Sequence, residues 1–312
     1  MTWTIDDIPD QTGRTVVVTG ANGGLGLEST RALAGAAAHV VMAARNQEKA
    51  EAARRDVLAT HPGASLAIVP LDLGSLESVA GAARVILADH DRIDVLMLNA
   101  GVMAMPEGRT VDGFETQLGV NVLGHWALLS RLLPAVVAAP GARVVTLSSI
   151  AQHQGRRIDP ADPHRAGRYD PWTQYGTTKL AMRHLAQGLQ ARFAAAGIDA
   201  LAVPAHPGYT NSDLQSTTAH AGGGGRLGRF YDRLADLVGM SVPRGALSQL
   251  RAATDPHARP GVIYGPLFTV SGPPVAKPLV RPGSAEAIRR LWEVAERETG
   301  LAVEPGAVIP HR

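Results

Sequence analysis

The sequence predicts an α/β protein built on a doubly wound parallel sheet, folded as a single domain over residues 1–312. Short apolar, β-branched runs alternate with longer Ala- and Leu-rich segments that have the length of helices. Strands that are apolar along their whole length are typical of a parallel sheet, because helices cover both of its faces. Regular alternation of strand and helix in turn implies right-handed crossover connections.

The predicted elements follow one another in chain order. Strands are expected at residues 15–19, 40–43, 66–69, 95–98, 144–147 and 200–203. Helices are expected between them, at residues 25–38, 47–60, 75–89, 114–137 and 175–196. The sequence shows no internal repeat and no change of composition that would mark a second domain.

The pattern changes after residue 212. Residues 213–245 are predicted to form a substrate-loop insertion, in which the glycine run 222–225 precedes an amphipathic segment that ends at residue 238. This segment is interpreted either as a mobile lid or as a fixed helix. Residues 265–312 are predicted to form a helical and irregular C-terminal extension, irregular over the Pro- and Gly-rich part 265–282 and helical over 284–298 with Ser284 as N-cap. Both segments are expected to be additions to the sheet.

Composition excludes several classes of protein. The chain has 312 residues and no cysteine, which rules out disulfide frameworks, iron–sulfur clusters and cysteine nucleophiles. A net charge of +2 is too close to balance to indicate a nucleic-acid partner. The N-terminus does not resemble a signal peptide, and the uncharged apolar stretch at residues 32–44 is shorter than the roughly 20 residues of a membrane span. A cytoplasmic location is therefore expected.

A glycine-rich turn follows the first predicted strand and leads directly into a helix. Its glycines are Gly20, Gly23, Gly24 and Gly26. Backbone amides and the helix dipole at such a turn favour a pyrophosphate, and glycine lets the backbone approach the phosphates closely. Glycine turns also serve ordinary packing, but the strand–turn–helix context favours a dinucleotide.

The spacing of Gly20, Gly24 and Gly26 resembles the short-chain dehydrogenase/reductase family. Further motifs agree in order: Asn99-Ala100-Gly101, Asn121, Ser148-Ser149, Tyr175 with Lys179, and Pro207-Gly208. The resemblance covers about residues 13 to 212 and implies a Rossmann fold. A long stretch between Ser149 and Tyr175 is similar to the retinol dehydrogenase and protochlorophyllide reductase branch.

The resemblance implies a catalytic group made of Asn121, Ser149, Tyr175 and Lys179. Tyr175 and Lys179 are four residues apart on a predicted helix and therefore share a face. A free tyrosine has a pKa of about 10, which a neighbouring ammonium and a positive nicotinamide ring would lower. Tyr175 is then the general acid/base, Ser149 binds the substrate oxygen, and Asn121 holds a water that links the lysine to solvent. Ser148 is the alternative to Ser149.

The resemblance also implies the cofactor site. Arg45 stands beside a position that lacks the acidic residue expected for NAD, and its guanidinium could pair with a 2′-phosphate, so NADP is favoured over NAD. Either Thr210 or Ser212 would meet the carboxamide. The predicted cofactor residues are Gly20, Asn22, Gly24, Leu25, Gly26, Arg45, Asn46, Asp72, Leu73, Asn99, Ala100, Gly101, Tyr175, Lys179, Pro207, Gly208, Thr210 and Ser212.

The predicted function is an NADP(H)-dependent oxidoreductase that acts on a small apolar carbonyl or alcohol. The alternatives are a carbon–carbon double-bond reductase of the protochlorophyllide reductase type and a catalytically silent NADP-binding regulator. No metal is expected, because His153, His164, His206 and His220 lie in different loops without ligand spacing. The three methionines at 97, 103 and 105 either touch the substrate or fill the core. A homo-oligomer, as dimer or tetramer, is compatible with this function.

Overall fold

The computed structural model describes residues 2–210, 239–279 and 285–308 of the chain. It contains one sheet made of β1 (Thr15–Thr19), β2 (His39–Ala44), β3 (Ser65–Pro70), β4 (Val95–Leu98), β5 (Ala142–Leu147), β6 (Ala200–Ala205), β7 (Val262–Pro266) and β8 (Pro274–Pro278). The helices are α1 (Gly24–Gly35), α2 (Gln47–Thr60), α3 (Leu76–Asp89), α4 (Thr116–Val137), α5 (Pro171–Ala195), α6 (Val242–Thr254) and α7 (Ala285–Thr299). Short 3₁₀ turns cover Ile5–Asp7, Ile150–His153 and Pro305–Val308.

The strands lie in the order β3-β2-β1-β4-β5-β6-β7-β8. The first seven strands are parallel, and only β8 runs antiparallel, against β7. Strand order reverses between β1 and β4, which is where doubly wound sheets bind ligands at the carboxyl ends of their strands. The predicted fold class is confirmed, and each predicted strand lies within an observed one.

Two apolar cores cover the two faces of the sheet. One core packs helices α3, α4, α5 and α7 against the sheet, and it includes Ile86, Trp126 and Phe193. The other packs α1, α2 and α6 against the opposite face, and it includes Leu33 and Val57. The strands contribute alternate residues to the two cores, which explains why they are apolar along their whole length.

Helix α5 begins earlier than the sequence predicted. The predicted start at residue 175 is wrong, because the helix begins at Pro171 and is capped by Asp170, whose Oδ1 accepts the Thr173 amide at 2.7 Å. Proline suits the first turn of a helix, since its missing N–H would have no intrahelical partner there. The early start places Tyr175 in the second turn of α5, where helical residues before and after it hold its backbone in place.

Helix α4 contains a π-helical segment, Gly119–Leu123, between the turn Thr116–Leu118 and the α-helix Gly124–Val137. Within it the Gly124 amide donates to the Gly119 carbonyl, five residues earlier. Such wide turns are frequent at functional sites. By length and composition alone α4 could cross a membrane, but it is mostly buried as a core helix.

The C-terminal part of the chain is more regular than predicted. The prediction of an irregular segment at 265–282 is wrong, because strand β8 lies inside it. This strand pairs with β7, so that Pro266 lies opposite Pro274 and Val262 opposite Pro278. Proline is tolerated here because β8 is an edge strand and needs fewer backbone donors. Helix α6 was also not predicted, and it takes residues 242–245 out of the expected substrate loop. The remaining calls on that loop, on Ser212, on His220 and on Ser284 concern residues outside the described ranges.

Helix α7 is tied to the rest of the protein by Trp292. Its indole packs edge-on against Trp126 with 5.0 Å between the ring centroids, and Arg192 of α5 lies 4.0 Å from its centre. Gly188 of α5 lies directly under the indole, where a Cβ would overlap it. The extension is therefore part of the core and holds the helix that carries Tyr175 and Lys179.

We expect Trp292→Ala to lower the free energy of unfolding by about 3–5 kcal/mol, the usual cost of removing a buried aromatic ring. Urea unfolding followed by circular dichroism would measure the change. Phe268→Ala is the matched control, because Phe268 is 70% exposed and its loss should cost about 0.5 kcal/mol or less. Equal stability of the two variants would show that α7 is a loose addition.

Candidate active site

A cavity of about 560 Å³ opens at the carboxyl ends of the central strands. Loops that follow β1, β4, β5 and β6 form its wall, so residues far apart in sequence meet there. The predicted residues that border it are Gly20, Asn22, Gly24, Leu25, Asn99, Ala100, Gly101, Ser149, Tyr175, Lys179, Pro207, Gly208 and Thr210. The structure thus brings most of the predicted site together in one place.

The glycine turn forms one end of the cavity. Gly20 and Gly24 have φ values of +68° and +49°, in the left-handed region that favours glycine. Gly26 does not border the cavity, but a Cβ there would lie 2.7 Å from Asn99 Nδ2, so glycine lets α1 pack closely on the sheet. The N-cap of α1 is Gly23, which has no side chain to bond the first amides of the helix. These amides can therefore bind an anion such as a pyrophosphate.

Asn99 connects the first and fourth strands. Its Nδ2 donates to the Thr19 carbonyl at 2.8 Å, and its Oδ1 accepts from Gln249 of α6 at 3.1 Å. The Thr19 hydroxyl accepts the backbone amides of Asn99 and Ala100, both at 2.9 Å. The loop after β4 is therefore fixed against the glycine turn.

Tyr175 lies at the other end of the cavity and is only 5% exposed. Burial raises its pKa to about 12, although a hydrogen bond with the Ser149 side chain acts in the opposite direction. In the free protein desolvation of the phenolate has the largest effect, and the predicted lowering, which also requires the positive nicotinamide ring, concerns the complex with the cofactor. At neutral pH the hydroxyl carries its proton and can donate it.

Lys179 is also buried, at 3% exposure, and burial lowers its pKa to about 8. Its Nζ donates to the Leu147 carbonyl at 3.1 Å and lies 5.7 Å from the centre of the Tyr175 ring. No carboxylate forms an ion pair with it in the described part of the chain. Lys179 is therefore a buried amine whose proton is held weakly and which faces the cavity.

The two serines after β5 have different partners. Ser149 hydrogen-bonds Tyr175 and also caps the 3₁₀ turn that follows it, by accepting the Ala151 amide at 3.3 Å. The Ser148 hydroxyl is buried and donates to the Lys179 carbonyl at 2.8 Å. Of the two predicted candidates, Ser149 is the one that contacts the tyrosine.

Asn121 lies in the π-helical segment of α4 and is buried behind the cavity wall. Its side chain accepts the Val102 amide at 2.8 Å and donates to the Val102 carbonyl at 2.9 Å and to Thr178 at 3.0 Å. Gly101 lies between it and the lysine, since a Cβ on Gly101 would be 3.0 Å from Asn121 Oδ1 and 3.3 Å from Lys179 Nζ. The side chain of Asn121 therefore ties the loop after β4 to α5.

The predicted adenosine side is more open. Arg45 is exposed and does not border the cavity, and Asn46 caps α2 through the Lys49 amide at 2.8 Å. Asp72 and Leu73 also lie outside the lining: the Asp72 carboxylate accepts the Gly74 amide at 2.9 Å, and Leu73 is buried against α4. These residues shape the loops around the cavity.

Thr210 lies where the described chain ends before the gap at 211–238. Its hydroxyl donates to the Pro207 carbonyl at 3.0 Å, and its backbone forms a bridge with Met240. Gly208 before it has a φ of +75° and packs against the loop between β7 and β8. Thr210 is thus placed at the cavity, and Ser212 lies outside the described residues.

The wall near Tyr175 is largely apolar. It is formed by Met103, Leu147, Ile150, Ala151, Trp172 and Val270. Of the three methionines that the sequence singled out, Met103 borders the cavity, while Met97 is buried in the core. The described residues contain no group of His, Asp or Glu that could hold a metal.

Sequence reasoning missed two polar residues near this site. Lys49 borders the cavity from the first turn of α2, a place where the helix dipole disfavours a cation unless an anion is nearby. That unfavourable position was the available signal. His125 is completely buried and contacts Asn121, and its spacing of four residues on a predicted helix could have indicated the pairing.

Comparison with known proteins gives consistent results. Residues 14–222 match the family model described as short chain dehydrogenase. Retinol dehydrogenase 13 of Mus musculus is 33% identical over 299 residues, covering 95% of this chain and 86% of the relative. Polyprenol dehydrogenase of Mus musculus is 36% identical over 297 residues, covering 94% and 86%. The crystal structure of an uncharacterised protein from Mycobacterium paratuberculosis is 37% identical with a TM-score of 0.77, covering 97% of this chain and 99% of that one.

The depressed pKa of Lys179 predicts a pH-dependent stability. Its amine has a pKa of about 8 when folded and 10.5 when unfolded, so the folded state releases its proton first as the pH rises. We expect Lys179→Met to remove this dependence, so that the wild type gains about 2 kcal/mol relative to the variant between pH 7 and pH 9.5. Urea unfolding at both pH values measures the difference in the free energy of unfolding between the two proteins.

The matched control is Lys49→Met, because the Lys49 side chain is exposed. Its stability relative to the wild type should not change over the same pH interval. If the free energy of unfolding changed with pH equally in the wild type and in Lys179→Met, that result would contradict a buried Lys179 amine that has no carboxylate partner among the described residues.

Proposed function

The chain belongs to the short-chain dehydrogenase family, in its retinol dehydrogenase-like branch, and on this premise we propose an NADP(H)-dependent oxidoreductase of apolar carbonyls and alcohols. The observation that carries the proposal is that two sets of residues border the same cavity. Tyr175, Ser149 and Lys179 lie at one end, and the glycine turn with its free helix amides lies at the other. This arrangement suits a dinucleotide whose reactive ring reaches the tyrosine.

A bound nicotinamide would donate or accept the hydride. The residues of the chain provide proton transfer and orientation. In reduction Tyr175 donates its proton to the carbonyl oxygen as the hydride reaches the carbon, and Ser149 hydrogen-bonds the same oxygen. Lys179 stabilises the phenolate that remains, because its ammonium faces the ring from the same side of α5.

The protonation states favour Tyr175 as an acid in the free protein. With a pKa raised to about 12, its hydroxyl is protonated at neutral pH and ready for reduction. Oxidation of an alcohol requires the phenolate, so it needs the ammonium of Lys179 and a positive nicotinamide to lower that pKa. We therefore expect oxidation to gain rate relative to reduction as the pH rises toward about 8, the pKa of Lys179 in the free protein, above which its ammonium is lost.

The preference for NADP rests on the charges at the end of β2. Ala43, Ala44 and Arg45 provide no carboxylate for two ribose hydroxyls. Arg45 and Lys49 are both exposed cations that flank the start of α2, and Lys49 borders the cavity. Together they supply the positive charge that a 2′-phosphate requires.

The substrate class follows from the apolar wall. Met103, Ile150, Trp172 and Val270 border the same cavity as Tyr175 and would bury hydrocarbon at about 25 cal/mol per Å². Two relatives carry the names retinol dehydrogenase and polyprenol dehydrogenase, which describe long apolar alcohols. We propose a similar apolar alcohol or aldehyde here. The proposed location is the cytoplasm, with α4 used as a core helix.

We expect Tyr175→Phe to lower kcat for aldehyde reduction by about 10²- to 10⁴-fold, because it removes the proton donor and keeps the ring. Spectrophotometric assays of NADPH oxidation, with a panel of apolar aldehydes that includes retinal, measure kcat. Affinity for NADPH should change little.

Tyr169→Phe is the control for losing a partly buried tyrosine hydroxyl. That hydroxyl bonds Gln117 and the Met105 carbonyl, and it does not border the cavity. Its kcat should stay within about threefold of the wild type. Near-normal turnover by Tyr175→Phe would show that another group donates the proton.

We expect Ala44→Asp combined with Arg45→Ala to shift the preference from NADPH toward NADH. The new carboxylate accepts the ribose hydroxyls and repels the 2′-phosphate, and the loss of Arg45 removes a counter-charge. Isothermal titration should show NADPH affinity at least about tenfold weaker. The single variant Lys49→Ala should weaken NADPH and leave NADH unchanged. Equal or tighter NADPH binding by the double variant contradicts the proposed preference.

A further inference from the structure

His125 of α4 is a buried titratable residue that the proposed reaction does not use. Its side chain is completely inaccessible, and burial lowers its pKa to about 4, with the charge of Lys179 acting in the same direction. The imidazole is therefore neutral at physiological pH. A neutral imidazole has one donor and one acceptor, and its neighbours decide which nitrogen is which.

The partners of His125 fix its tautomer. Nδ1 lies 3.0 Å from the backbone carbonyl of Asn121, which can only accept, so the proton is on Nδ1. Nε2 lies 2.9 Å from the Thr19 hydroxyl and therefore accepts its proton. The Thr19 oxygen in turn accepts the amides of Asn99 and Ala100. One ring thus connects the middle of α4 with the ends of β1 and β4.

Each end of this chain of hydrogen bonds leads to a different part of the proposed site. Thr19 directly precedes Gly20, the first glycine of the cofactor turn. Asn121 lies beside Lys179 across Gly101, and both N–H groups of its side chain are used by Val102 and Thr178. The lysine ammonium has three N–H groups, of which one donates to Leu147. The bond from His125 uses one lone pair of the Asn121 carbonyl, and a water bound to the other would offer an acceptor toward the ammonium.

We propose that His125 is a positioning residue with two separable duties, one from each ring nitrogen. Its Nδ1–H orients the Asn121 carbonyl that serves Lys179, and its Nε2 orients the Thr19 hydroxyl that orders the cofactor turn. The inference rests on the proposed function for its effect on turnover, but the hydrogen-bond pattern itself does not depend on any substrate.

Two substitutions separate the duties, because the amide nitrogen of asparagine reaches the position of Nδ1 and the side chain of glutamine reaches that of Nε2. We expect His125→Gln to lose the bond to Asn121, so kcat falls about tenfold or more while NADPH affinity stays within about threefold. For His125→Asn we expect the reverse: most of kcat is kept, and NADPH binds about tenfold more weakly.

Steady-state kinetics and isothermal titration with NADPH measure this crossed pattern, and thermal unfolding monitors stability in both variants. A ring that serves packing alone would lose kcat and NADPH affinity together in both variants, and that outcome overturns the proposal. Unchanged kcat and NADPH affinity in both variants also overturns it.

A third measurement does not require turnover. Nitrogen-15 NMR of histidine-labelled wild-type protein should show one histidine that stays neutral with its proton on Nδ1 at pH 7 and pH 5.5, and whose signal is lost in both variants. If the signal that disappears in both variants is protonated on Nε2, or is an imidazolium, the proposal is overturned whatever the activity. An inactive wild type with the expected tautomer and NADPH pattern would instead refute the proposed function and leave the positioning role standing.

Discussion

The hydroxyl of Thr19 joins β1 to the loop after β4, at the point where the strand order of the sheet reverses. It accepts two consecutive amides of the loop after β4, while the Thr19 carbonyl accepts the Asn99 side chain. The distance between the glycine turn and Asn99-Ala100-Gly101 follows from these bonds, and so does the position of Gly101 against Asn121 and Lys179. One short polar side chain at the end of β1 therefore aligns the glycine turn with the loop after β4.

Much of this architecture can be read from the sequence, because the parallel strands bury both faces. Each of the six predicted strands is therefore a short, largely apolar run, which its length and its β-branched residues distinguish from a helix. Strand β8 escaped detection for the opposite reason: an antiparallel edge strand tolerates Pro274 and Pro278, which read as signals of irregular structure. The start of α5 was placed late because the capping role of Asp170 before Pro171 was not recognised.

The site was predictable in its members but not in its electrostatics. Motif spacing brings Tyr175, Lys179 and Ser149 to one cavity, yet the depth of burial is a tertiary property that no local pattern contains. Burial sets the sign of the Tyr175 pKa shift in the free protein. Lys49 was missed because its position in the first turn of α2 is a weak local signal. His125 was missed because its ring bonds a backbone carbonyl, which the four-residue spacing from Asn121 indicates only indirectly.

The loop between β7 and β8 gives this protein a means of diversification. Val270 borders the cavity, while Leu267 and Phe268 on the same loop are exposed and make no part of either core. Substitutions there can change the border of the cavity without disturbing the sheet or the buried Tyr175. Selection on substrate range can therefore proceed at this loop almost independently of selection on folding, and directed evolution of new specificities would best begin with its side chains.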